Sequence, residues 1–306
     1  RQIQDVDNAK EVRERVRQEV GVVRLAHRVG DPVPGAADRL VEALVEQGEP
    51  GDHGDDGGKQ QRDADLLTVP TQVPRRQLAL ERVMDGLVTA LEPVMRACSG
   101  TWIAHGSGSA DRETVDRSDR IAVPPEHPIY QLRRIWLTKE EEAGYYAGFA
   151  NEGLWPLCHI AHVRPTFRSS DFEYYRTVNT RFADAVVAEL DRNPASAVFF
   201  HDYHLYLAPR FVREERPDAV LAHFIHIPWA QTDYWYVLPE HLRRAVHEGL
   251  LANDVVGFHT ARWRRNFLRT CRDIAGVETD SDGIVTHDGR EVRVVHHPIA
   301  IDPSAF

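Results

Sequence analysis

Five residues of this chain have the types and spacing to do chemistry together: His201, Asp202, His204, His226 and His259. Each lies at the end of a short apolar run. Ala197-Val-Phe-Phe200 leads into His201-Asp-Tyr-His204, the run from Ala219 to Ile225 leads into His226, and Val255-Val-Gly-Phe258 leads into His259. A carboxylate beside imidazoles suits proton transfer, with Asp202 and His226 as the natural pair. The histidines also offer nitrogen ligands. There is no HExxH, however, and His201 and His204 leave a strand end instead of sharing a helix face, so no metal is assigned. No G-x-S-x-G elbow is present, and Gly106-Ser-Gly-Ser109 does not supply one.

The elements that must position these residues follow from the same runs. Short continuous stretches of Val, Ile and Phe suit strands buried on both faces, as in a parallel sheet. His201 and His226 are 25 residues apart, and His226 and His259 are 33 apart, leaving room for a crossover helix each time. Tyr175, Val178, Phe182, Ala185 and Val186 give a helix from about 172 to 190 one apolar face. Leu242, Ala245, Val246 and Leu250 do the same before the Val255 strand, and Trp263, Phe267 and Leu268 mark a helix after Thr260. The order is β-α-β-α-β, hence an α/β, doubly wound fold with polar residues at the strand ends where such sheets bind ligands.

Upstream, Thr101 to Ala104 and Leu132 to Leu137 read as strands, and Thr138 with Glu141 forms a capping box. A Gly/Ser turn after the first of these strands is weak evidence for phosphate binding. Tyr145 to His159 (YYAGFANEGLWPLCH) is aromatic without a tidy stripe, so it is either core packing or the wall of a sugar pocket. Arg164, Arg168 and Arg176 follow; they either serve an anionic substrate or are solvated. Gly283 to Val295 reads as a hairpin around Asp288-Gly289.

Residues 1–80 differ in texture. Val12, Val16, Val20 and Val23 predict a surface helix over about 9–28, a second helix fits 36–47, and the polar run 48–65 reads as a linker. His53 among aspartates there is read as a solvated loop. The chain has 306 residues, 42% hydrophobic and 27% charged, which suits a folded domain with a real core. A net charge of −10 argues against a general nucleic-acid binder, while local arginines or helix N-termini still allow small anions. Three cysteines, few and scattered, argue against a disulfide framework. No apolar run reaches the ~18 residues of a membrane span and no signal peptide opens the chain, so a cytoplasmic location is expected. The chain opens on Arg1 instead of Met, which reads as a fragment.

Five blocks now carry a resemblance. Tyr145 to His159, His201 to Leu205 (HDYHL), Phe224 to Trp229 (FIHIPW), Gly249 to Thr260 (GLLANDVVGFHT) and Pro298 to Asp302 (PIAID) resemble, in order, the trehalose-6-phosphate synthase family. That resemblance covers roughly 85–306. It implies one half of a GT-B glycosyltransferase, the Rossmann-like acceptor domain over 81–306. The implied reaction moves glucose with retention from a nucleotide sugar, usually UDP-glucose, onto glucose 6-phosphate without a metal or other cofactor. By position, Tyr146 and Trp155 would line the acceptor site, and Asp202 would hydrogen-bond the acceptor sugar. His226 would contact the transferring glucose, and Gly86, in Asp85-Gly-Leu87, would stand in a degraded phosphate-facing loop.

Several positions depart from the family pattern. No Ser-Asn-Arg motif for the acceptor phosphate precedes Asp85, Ala230 replaces a proline, and Ala300 replaces the glycine of PIGID. The chain stops near the expected domain boundary. The nucleotide-binding half is therefore expected to be absent, leaving little transferase activity in the chain as given. A sister activity on the same fold (glucosylglycerol-phosphate synthesis, or pseudo-glycosyl transfer to cyclitols) stays open because Asp233-Tyr-Trp235 differs from the commoner pattern. So does a non-catalytic fragment or regulatory binding protein. No nucleic acid or membrane partner is expected; a homo-oligomer is left open.

Overall fold

The computed structural model describes residues 21–25, 95, 100–107, 111–123 and 127–298. The three apolar runs are strands: β5 (Ala197–His201), β6 (Val220–Ile225) and β7 (Val255–Phe258). They pair in parallel, with His201 opposite Phe224 and Ile225 opposite Phe258, so their polar ends finish side by side. Alternate side chains serve opposite faces, as the strand period of two requires. Val198, Phe200, Leu221, Ile225, Val256 and Phe258 pack on one face, and Phe199, Ala222, Phe224 and Val255 on the other.

Further strands extend this core in both directions. They are β1 (Gly21–Leu25), β2 (Thr101–His105), β3 (Arg120–Val123), β4 (Tyr130–Ile135), β8 (Glu278–Thr279), β9 (Ile284–His287) and β10 (Arg290–His296). Their order is β3-β4-β2-β1-β5-β6-β7-β10-β9-β8. The predicted hairpin is β9–β10, turning through Asp288 and Gly289, both at positive φ. β10 continues the parallel set beside β7.

The helix expected over 9–28 needs correction: its residues Gly21–Leu25 are β1, antiparallel to both β2 and β5. Hydrogen-bonded neighbours on both sides of a Val-Val segment outweigh the helical spacing that its valines share with the residues before it. The other expectations for residues 1–80 lie outside the described residues. Most of the sequence-predicted helices form: α3 (Ser169–Arg192), α4 (Ala208–Glu215), α5 (Glu240–Leu250) and α6 (Ala261–Thr270). Ahead of them come α1 (Lys139–Glu142), whose Thr138–Glu141 capping box is present, and α2 (Trp155–His159). Between α1 and α2 the aromatic stretch winds as a π-helix over Ala143–Leu154, a form that concentrates at functional sites.

Two carboxylates, Glu189 buried and Asp254 half-buried, tie these elements together. Glu189 of α3, 1% exposed, receives Arg120 of β3 and Arg133 of β4, the latter at 3.1 Å. Asp254 joins β6, β7 and β10 by accepting from Arg213 (3.0 Å), Arg290 and the Leu221 amide (2.8 Å). Each carboxylate is matched by several donors, which is the condition for burying charge without a large penalty. No helix among the described residues is long and apolar enough to cross a membrane. Cys158 and Cys271 are buried and free.

Candidate active site

The strand ends meet as the spacing predicts. His201 Nδ1 lies 3.3 Å from His226 Nε2, and the ring centroids of His226 and His259 are 5.2 Å apart. Asp202 sits among them in an unusual conformation, φ 60° and ψ −177°, a region that ordinarily takes glycine. Three bonds hold it there. Its amide donates to the Phe224 carbonyl (2.8 Å), its own carbonyl accepts from His223 Nε2 (2.9 Å), and its Oδ1 accepts from the His226 amide (3.2 Å). Because a carbonyl can only accept, His223 carries its proton on Nε2. Asp202 and His226 are therefore direct neighbours through the backbone of one and the side chain of the other.

Burial keeps the histidines of this cluster uncharged. It lowers His226 to about 3, with the His259 and His223 rings adding to the effect. It lowers His204 to about 3, and His223 to about 4 despite the Asp202 carbonyl. His201 falls well below its usual value for the same reason, helped by His226 and His223. Neutral imidazoles hydrogen-bond hydroxyls without placing a cation in the site. Among the described residues no group of three or more His, Cys, Asp and Glu is arranged to hold a metal ion.

The turn after Asp202 is fixed from behind by α3. The Tyr175 hydroxyl donates to the Tyr203 carbonyl (2.6 Å) and accepts from the Tyr206 amide (3.0 Å). Asn179, fully buried, donates to the Tyr175 and His204 carbonyls at 2.8 and 3.0 Å. Its oxygen accepts from the amides of Leu207 and Ala208 at 3.1 and 3.0 Å. Both residues escaped the sequence reading as site residues. The signal was present: a lone amide at i+4 from Tyr175, on an otherwise apolar helix face, must find partners or cost several kcal/mol.

Most of the aromatic stretch is core packing, and Tyr146, 7% exposed, belongs to the same core and lies toward the histidines. Tyr145 and Phe149 are core, packed on Tyr175 at 5.8 and 4.6 Å between centroids. Tyr146 stacks flat on His204, 5.0 Å apart with 9° between planes, and the Tyr203 hydroxyl donates to Asn151 of the same π-helix at 2.6 Å. The structure thus links Tyr146, His204, Asp202 and His226 in one connected set. Trp155 is 43% exposed and stacks on His159 at 4.1 Å, outside that set of contacts. Gly86 lies outside the described residues. Arg168 is paired with Glu152 and Asp171, both at 2.9 Å, and Arg176 with Glu173 at 2.6 Å, so surface pairing accounts for both arginines. Gly106, just past β2, donates its amide to the Ile135 carbonyl of β4 at 2.9 Å and so continues the pairing of those strands, while Gly108 and Ser109 lie outside the described residues.

These features can be compared with known proteins. The model of glycosyltransferase family 20 matches residues 67–306. The chain is similar to the trehalose-6-phosphate synthase of Mycobacterium ulcerans, 35% identical over an alignment 259 residues long that covers 80% of this chain and 50% of that protein. It is also similar to the bifunctional trehalose-6-phosphate synthase/phosphatase of Thermoproteus tenax, 36% identical over an alignment 230 residues long that covers 72% of this chain and 30% of that one. The UDP-forming α,α-trehalose-phosphate synthase of Burkholderia vietnamiensis shares the fold with a TM-score of 0.61 at 26% identity, over 72% of this chain and 47% of that chain. A Burkholderia xenovorans enzyme of the same name, solved in complex with glucose-6-phosphate, shares the fold with a TM-score of 0.61 at 24% identity, over 73% of this chain and 48% of that one. The chain spans about half the length of the curated relatives it matches. With a Rossmann-like α/β sheet of the GT-B kind and a family match that runs from residue 67 to residue 306, this chain belongs to glycosyltransferase family 20.

Proposed function

We propose that residues 81–306 are the acceptor half of a retaining glucosyltransferase that makes α,α-trehalose 6-phosphate from UDP-glucose and glucose 6-phosphate. The observation that carries this reading is Asp202, held in a strained conformation with its carboxylate against the His226 amide at 3.2 Å, in a pocket of neutral histidines. Backbone strain held in place by three bonds concentrates at functional sites, and here it stands at a strand end among histidines. The names of the relatives support the same chemistry.

In this reading Asp202 accepts a hydrogen bond from an acceptor hydroxyl and fixes its direction, and Tyr146 on His204 offers a flat face to the sugar. His226 hydrogen-bonds a hydroxyl of the transferring glucose. The acceptor oxygen attacks the anomeric carbon as the bond to diphosphate breaks, and its proton leaves toward the departing phosphate oxygen. No enzyme nucleophile takes part, so orientation and fixed dipoles carry the rate. The N-terminus of α6, capped by Thr260, opens beside His259 and adds positive potential near the departing charge. Nucleotide sugars and sugar phosphates are cytoplasmic metabolites, which supports a cytoplasmic location in this reading.

Calorimetric titration of glucose 6-phosphate into the 306-residue chain tests the reading. Saturable binding is expected, weakened at least tenfold by Asp202→Asn. Glycerol 3-phosphate, the acceptor of a sister activity, should bind more weakly. Trp235, in the segment that left this alternative open, is core, stacked on Trp229 at 4.5 Å, and gives it no support. Equal binding by wild type and Asp202→Asn, or preference for glycerol 3-phosphate, contradicts the proposal. UDP-glucose should bind the same chain more weakly than glucose 6-phosphate and turn over little; efficient product formation would count against the division into halves.

A further inference from the structure

Away from the strand ends, a hollow of about 530 Å³ lies between the outer face of α6 and the turn before β9. Its lining includes Arg264, Arg265, Arg269 and Arg272 against a single carboxylate, Asp280, with Thr279 and Ser281 adding hydroxyls. Helical geometry puts Arg265 and Arg269 one turn apart on α6, with Arg272 in the turn that follows. On a chain of net charge −10, four arginines around one hollow are a local reversal of sign.

Two of the neighbouring carboxylates already accept hydrogen bonds from other groups. Asp280 Oδ1 accepts from the amides of Gly283 and Ile284 at 2.7 and 2.8 Å, and Asp273 accepts from Thr232 at 2.7 Å. Arg264 is fixed by the Val294 carbonyl (2.7 Å) and the Asp282 carbonyl. A Cβ at Gly283, where φ is 91°, would run into its guanidinium, so the turn is shaped around that side chain. Arg265, Arg269 and Arg272 are exposed and form no ion pair with any carboxylate of the described residues. Arg264 is therefore fixed, and beside it on the same helix and the turn that follows, Arg265, Arg269 and Arg272 present uncommitted guanidinium groups.

We propose that this hollow binds a small phosphorylated metabolite carrying two or more negative charges, at a site separate from Asp202 and His226. Arginine forks match phosphate oxygens two at a time, and the Thr279 and Ser281 hydroxyls supply further donors. The volume suits a small molecule, and the acidic remainder of the surface repels an extended polyanion. The helix that bears the arginines starts at Thr260, beside His259, so occupancy of the hollow bears on an element that also borders the proposed active site.

Pyrophosphate, titrated calorimetrically into the 306-residue chain at constant ionic strength, is the probe. One saturable site is expected. Arg269→Glu with Arg272→Glu should weaken it at least tenfold, Arg269→Gln with Arg272→Gln less, and Asp202→Asn not at all. Circular dichroism of each variant checks that the exposed substitutions leave the fold intact. No saturable binding, indifference to both arginine pairs, or equal loss in Asp202→Asn overturns the proposal. So does tight binding of a single-stranded oligonucleotide with none of pyrophosphate. Loss of glucose 6-phosphate binding in Asp202→Asn with pyrophosphate binding kept separates this site from the acceptor site.

Discussion

Asp202 shows most directly how function and stability conflict at a single residue. Its conformation, φ 60° and ψ −177°, costs a non-glycine residue on the order of 1–3 kcal/mol. Replacing it with glycine relieves that strain, while alanine keeps it, and both lose the bond to the His226 amide. Asp202→Gly should therefore be more stable than Asp202→Ala by about 1–2 kcal/mol in urea unfolding, with glucose 6-phosphate binding lost in both. Equal stabilities would mean that the strain is not real. The sequence marked Asp202 through its neighbours, because histidines and a carboxylate at a strand end have few structural uses. It could not mark the strain, which arises only when β5 and β6 are paired and the Phe224 carbonyl claims the Asp202 amide.

At the scale of elements, α3 does more than cover the sheet. Through Tyr175 and Asn179 it supplies partners for five backbone groups of the turn that carries Tyr203 and His204. Asn179→Leu fills similar space and strips three of them of their partner. Each buried orphan costs about 1–3 kcal/mol, so a loss of at least about 3 kcal/mol is expected by urea unfolding, with weakened acceptor binding. A loss under about 1 kcal/mol would mean the turn holds itself. Gly249 plays a comparable role for α5: a Cβ there would stand 2.1 Å from the Tyr206 carbonyl oxygen. Gly249→Ala should cost about 1–3 kcal/mol by pushing α5 away from the Tyr206–Leu207 turn, read as a lower urea midpoint.

The parallel strands were legible because strands buried on both faces are apolar without alternation, and helices α3, α5 and α6 because their apolar faces recur at helical spacing. β1 was not, since its five residues become a strand only between β2 and β5. The packing of the aromatic stretch was not legible either. π-helical pairing widens the turn, so helical spacing cannot tell that Tyr145 packs on Tyr175 while its neighbour Tyr146, in the same core, stacks on His204.

For the whole molecule, the buried histidines set the response to acid. His204, His223, His226 and His247 have folded values of about 3 to 4, and His201 is also well below 6.5. In the unfolded chain each returns to about 6.5. Above that pH both states leave them neutral and nothing is lost. As pH falls below it, the unfolded state takes up protons that the folded state refuses, and each histidine removes about 1.4 kcal/mol per pH unit until its folded value is reached. Five together exhaust a domain's usual stability by about pH 5. Cooperative unfolding near that pH, followed by circular dichroism, is the expected result. A urea midpoint unchanged down to about pH 4 would show that the histidines are not held neutral.

In the proposed site Tyr146, His204 and Asp202 hold the acceptor sugar, and His226, bonded to the Asp202 carboxylate, marks where it meets the transferring glucose. Histidine ¹H–¹⁵N NMR during a glucose 6-phosphate titration of the 306-residue chain reads this directly. The imidazole signals of His204 and His226 should shift together and saturate at one concentration, and Asp202→Asn should abolish both shifts. Silence at these two histidines while glucose 6-phosphate binds, or shifts confined to His159 beside Trp155, would place the sugar elsewhere and contradict the account.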